Sequence, residues 1–93
     1  MSSPRYTIVW QKRFEQELLA IQANIERVDE SIAAIEWALS CNPENGSQLQ
    51  PGSRVWVMFT LETPFLPALI VYYTFDDNHV YLESVRVTTS GLG

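Results

Sequence analysis

The sequence predicts an α+β fold: a small antiparallel sheet of three to four strands packed by an N-terminal helical hairpin. Ala68 to Val87 contributes two β-rich runs, LIVYYTF and HVYLESVRV, on either side of Asp76, Asp77 and Asn78. That pattern reads as two antiparallel strands joined by a tight turn. Further upstream, Phe14, Leu18, Ile21, Ile25, Val28, Ile32, Ile35 and Leu39 recur at alternating spacings of four and three, the mark of an apolar stripe along a helix. The segment before it, Arg5 to Trp10 (RYTIVW), is β-branched and aromatic and too short for a helix, so it reads as the first strand.

No glycine or proline interrupts residues 11–41. One helix of about 28 residues would be about 42 Å long and would overhang a domain of this size. The alternative folds the segment into two antiparallel helices with a break between Gln22 and Asp29, where Asn24 or Asp29 would serve as N-cap. The hairpin is favoured because both halves can then cover one sheet. Asn42-Pro43 ends the helical region, and Glu44-Asn45-Gly46-Ser47 opens a loop that runs to Gly52. Arg54 to Leu61, RVWVMFTL, reads as a strand buried on one face and partly covered on the other. Pro64 and Pro67 remove backbone donors and forbid a tight two-residue turn, so Phe65 and Leu66 are expected to project as an apolar knob. On the last strand, strict alternation places Val80, Leu82, Ser84 and Arg86 on one face and Tyr81, Glu83, Val85 and Val87 on the other.

The 93 residues are read as one domain. A domain of this length buries only about 60 to 65% of its unfolded surface, which leaves a partner or a homodimer to cover any exposed apolar stripe. Hydrophobic residues make up 46% of the chain and charged residues 18%, the composition of a folded protein. Cys41 is the only cysteine, and the N-terminal MSSPRYTIVW lacks a basic region followed by a signal-type apolar run, so a cytoplasmic location is expected. No apolar run approaches the roughly 20 residues of a spanning helix, so no membrane insertion is expected. Eleven acidic residues against six basic ones supply no general attraction to phosphate backbones, and direct binding of free nucleic acid is not expected.

Taken together, the strand at Tyr6 to Trp10, the paired helices ending at Asn42-Pro43, the strand Val55 to Leu61 and the run Leu69-Ile70-Val71-Tyr72-Tyr73-Thr74-Phe75-Asp76-Asp77 resemble the RelE/ParE superfamily of small toxins from bacterial toxin-antitoxin and plasmid-stabilisation modules. The resemblance covers nearly the whole chain and rests on packing features. It implies an antitoxin or a cellular protein target as partner. In the ribonuclease branch it implies cleavage of messenger RNA on the ribosome by lysines and arginines on the sheet face, aimed at developing phosphate charge. The positions where those cations would lie are Val55, Trp56, Val57 and Met58, residues 65–68, and residues 87–89, and none is basic. The tail likewise lacks the family's terminal aromatic. The expected description is therefore a divergent member that acts through protein contacts, with Trp56, Phe65, Leu66 and Tyr72 as partner-binding residues. Arg54, Arg86 and His79 are the candidates for a residual ribonuclease centre. A self-associating structural or adaptor protein, burying Trp56, Phe65 and Leu66 across a two-fold axis, is the remaining alternative.

His79 follows a turn and has no second histidine or cysteine beside it in sequence, so a solvated strand start is the simpler role. Cys41, near a helix C-terminus, is read as an inert thiol. The three tryptophans, with Tyr72, Tyr73 and Tyr81, are not interleaved with basic residues as a single-strand nucleic-acid platform requires. No cofactor or metal site is expected, since neither a phosphate-cradling glycine loop nor a ligand cluster is present.

Overall fold

The computed structural model describes residues 5–64 and 66–88. The chain runs β1 (Thr7–Trp10), α1 (Lys12–Gln22), α2 (Val28–Cys41), a 3-10 turn (Pro43–Asn45), β2 (Ser47–Gln48), β3 (Trp56–Phe59), β4 (Ala68–Phe75) and β5 (His79–Thr88). The strands form one five-stranded sheet in the order β1-β5-β4-β3-β2. The α+β class follows from these elements. The sheet corrects the expected count and sense: it has five strands, and β1 lies parallel to β5 while the other neighbours are antiparallel. Two helices between β1 and the remaining strands carry the chain across the sheet, so β1 and the last strand can run in the same direction. β2 falls inside the stretch expected to be loop, and the strand expected over Arg54 to Leu61 is confined to Trp56–Phe59, although the Thr60 N–H still donates to the Leu69 carbonyl at 3.0 Å.

Two helices form rather than one, as the sequence favoured, but neither expected N-cap is used. Arg27 occupies that position with φ at 67°, in the left-handed region, where a non-glycine side chain is strained. Asn24 instead closes α1, donating from its side-chain amide to the Ala20 carbonyl at 3.1 Å. Gln22 and Asp29 are hydrogen-bonded across the break, and Arg27 pairs with Glu30 at 2.9 Å.

Both helices contribute to one apolar cluster. Phe14 and Leu18 from α1 and Val28, Ile32, Ile35 and Leu39 from α2 are buried with Leu69, Val71, Tyr73, Val80, Leu82 and Val85 of the sheet. The helices therefore cover one sheet face, and among the described residues the other carries none. Strict alternation on β5 fails at this point. Tyr73 pairs with Leu82 and Tyr72 with Ser84, which leaves Glu83 as an extra residue, a β-bulge. The bulge rotates the strand, so Val85 joins Val80 and Leu82 in the core and Arg86 is exposed.

Beside the core, Tyr73 ties the 3-10 turn to the sheet. Its hydroxyl donates to the Pro43 carbonyl at 2.5 Å and accepts from the Gly46 N–H at 3.1 Å. Burial pushes its pKa up to about 12; the Gly46 hydrogen bond opposes this shift and the Glu44 charge adds to it.

Candidate functional site

Parallel pairing of β1 with β5 stops at Trp10 and Leu82, immediately before the bulge. Among the described residues no strand lies on the outer side of β5 beyond that point, and a side chain from α1 takes that position. The Glu17 carboxylate accepts from the Val85 N–H at 3.0 Å and from the Ser84 hydroxyl at 2.6 Å. Burial alone would raise the Glu17 pKa, but those two hydrogen bonds, with the Arg13 and Arg86 charges, hold it below the usual glutamate value.

The bulge opens a groove of about 500 Å³ lined by Arg13, Tyr72, Glu83, Ser84 and Arg86. Tyr72 and Arg86 enter it from the helix-free face. Arg13 reaches it from α1, where its guanidinium lies 3.5 Å from Glu17. Arg86 forms no ion pair among the described residues. Two guanidiniums thus share the groove region with two carboxylates, Glu17 and Glu83, and the formal charge balances.

A neighbouring depression of about 360 Å³ holds Arg54 with Gln11, Thr74, Phe75, Asp76, Tyr81 and Glu83. Its carboxylates are tied to neighbours on the protein. The Thr74 hydroxyl donates to Glu83 at 2.9 Å and the Tyr81 hydroxyl to Asp76 at 2.9 Å. Asp76 also accepts from the N–H groups of Asn78 and His79, both at 2.8 Å. Those two bonds hold its pKa down to about 2, while Asp76 in turn raises that of Tyr81 through their hydrogen bond.

The three candidate catalytic residues are not brought together. Arg86 lies in the larger groove and Arg54 in the smaller one, whereas His79 stays at the β4–β5 turn and lines neither. The His79 ring stacks on Tyr81 at 5.8 Å, and Nδ1 is 3.4 Å from Asp76. Arg13 is the residue that sequence reasoning missed; its position one turn before Glu17 on α1 was the available signal.

Of the candidate partner-binding residues, Tyr72 is half-buried on the helix-free face. Trp56 points to the other face, half-buried against the core, with its ring edge on Phe75 at 5.5 Å. Leu66 is half-buried in a loop closed by Thr63, whose N–H donates to the Leu66 carbonyl at 2.8 Å. Phe65 lies outside the described residues. Phe59 is 61% exposed on the helix-free face. Among the described residues no group of His, Cys, Asp and Glu could hold a metal ion, and no helix is long and apolar enough to cross a membrane.

No protein-family model matches the sequence, and searches of curated proteins and solved structures give no significant match.

Proposed function

We propose that this chain is a RelE/ParE-like toxin-module protein that works by binding protein, an antitoxin or a cellular target, without a ribonuclease centre. What supports the kinship is the element order: a strand, two helices that share one face of a sheet, then strands ending in a long hairpin. The observation that carries the non-catalytic reading is the charge balance of the bulge groove. Stabilising a phosphoryl transition state needs cations in excess, and here the Arg13 and Arg86 charges act on Glu17 while Glu83 is a further carboxylate lining the groove. The helix-free face, with Phe59 exposed and Ile70 and Tyr72 half-exposed, offers protein-binding surface. Expressed alone in a bacterial host, the chain is expected to slow growth, and co-expression of a short reading frame adjacent to its gene is expected to relieve the effect. Growth unchanged under strong expression, with no complex formed by the neighbouring product, would refute module membership.

A second reading, a ribosome-dependent endoribonuclease, is favoured by one observation. Arg86 lines the groove together with Tyr72 and Arg13 and forms no ion pair within 4.0 Å among the described residues. Growth arrest accompanied by cleavage of translated messages, both lost on Arg86→Ala, would establish it in place of the first.

A further inference from the structure

We infer that the helix-free face of the sheet packs against the same face of a second copy, about a two-fold axis that crosses the strands at Tyr72. Side chains on one face recur every second residue, so the strand register sorts this face into rows. Val57 and Tyr72 lie side by side in the middle row; Val57 is buried yet lies outside the core cluster. On one side of them the next row is Phe59, Ile70 and Arg86, Phe59 paired with Ile70 and Ile70 with Arg86. On the other side the row is Val55, Thr74 and Glu83, with the Thr74 hydroxyl donating to Glu83 at 2.9 Å. The Leu49 N–H donates to the Val55 carbonyl at 2.9 Å, which sets Leu49 at the end of that row.

The two outer rows complement each other. Phe59 is 61% and Leu49 50% exposed, so both rows present apolar surface at the β3 end, while the β5 end carries a cation in one row and an anion in the other. A two-fold axis through the middle row lays each outer row over the opposite row of the partner, with every strand antiparallel to its own copy. Phe59 of each copy then packs on Leu49 and Val55 of the other, and Arg86 of each faces Glu83 of the other, the self-matching that an isologous interface requires. Facing sheets stand about 10 Å apart, within the joint reach of an arginine and a glutamate side chain. Both charges are present to be paired. Arg86 forms no ion pair within 4.0 Å among the described residues, and Glu83 accepts from a neutral hydroxyl that leaves its charge uncompensated. The Arg86 charge also acts on Glu17, which Arg13 approaches at 3.5 Å. Glu15, Glu26, Asp29, Glu30 and Glu36 belong to the α1–α2 layer behind the sheet, so the net charge of −5 does not gather on this face. A foreign partner would need no such correspondence between one row and the other.

This inference rests on the reading above only in taking the helix-free face as protein-binding surface. Its test is sedimentation of the full chain across the micromolar range. The parent is expected to pass from monomer to dimer with concentration, and Phe59→Asp, at an exposed position, to remain a folded monomer. Arg86→Glu and Glu83→Arg are each expected to raise the dimer dissociation constant by roughly tenfold or more, as two exposed charge pairs become like-charge oppositions. Mixed in equal amounts, these two variants are expected to associate as tightly as the parent, because both pairs are then restored between unlike chains. A parent that stays monomeric across the range, a dimer that Phe59→Asp leaves intact, or charge variants that associate no better mixed than apart would overturn the inference. A monomer that still binds the neighbouring gene's product would leave the protein-binding function standing, whereas a dimer with no effect on growth and no such complex would remove that function and keep this interface.

Discussion

Gly46 is held to glycine by proximity rather than by backbone angle. A Cβ at this position would lie 2.3 Å from the Val57 carbonyl oxygen and 2.5 Å from the Tyr73 hydroxyl. Neither neighbour can yield cheaply, since one is strand backbone and the other is fixed by Pro43. Gly46→Ala is expected to lower unfolding free energy by about 2 kcal/mol or more in urea titration. A variant as stable as the parent would show that Tyr73 does not tether the turn. Asp76 gives a second residue-scale expectation. Its folded pKa of about 2 lies below the unfolded value of about 3.9, so its contribution is complete above pH ~4 and is lost as pH falls toward 2. The lowered Glu17 pKa acts with the same sign. Asp76→Asn should flatten part of that acid limb in melts recorded across this range, and a limb unchanged by the substitution would contradict the assignment.

At the scale of elements, the α1–α2 break holds the one positive-φ non-glycine residue among those described. Arg27 adopts a left-handed conformation at the head of α2 without capping it through its side chain, and its compensation is an exposed ion pair with Glu30 worth a few tenths of a kcal/mol. Arg27→Gly is therefore expected to raise stability by up to about 1 kcal/mol, read as a higher melting temperature; a lower one would show that the ion pair outweighs the strain. The elements differ in how legible they were. The stripe from Phe14 to Leu39 supplied every helical residue of the core cluster, because helical periodicity survives a break that nearly preserves phase. The hairpin was legible from Asp76-Asp77-Asn78. The parallel pairing of β1 with β5 was not, since it depends on where two helices deliver the chain. The bulge was also hidden: a single added residue, Glu83, leaves no mark in composition, yet it moved Val85 inward and opened the groove. Arg13 carried only its spacing to Glu17 as a signal, and it becomes a groove residue once α1 lies along β5.

For the molecule as a whole, the layers divide the labour. Burial of twelve side chains between the helices and one sheet face stabilises the fold, and the opposite face, where Phe59 is exposed, is open to contacts. The groove at the bulge is where catalytic chemistry would have to reside, and its two guanidiniums are offset by carboxylates. Its charge balance is thus the feature on which the functional reading turns. The most direct measurement is messenger RNA cleavage in a reconstituted bacterial translation reaction supplied with purified protein and with the Arg86→Ala variant. With no ribonuclease centre in the groove, message is expected to stay intact in both reactions. Site-specific cleavage by the parent chain, abolished by Arg86→Ala, would contradict this expectation.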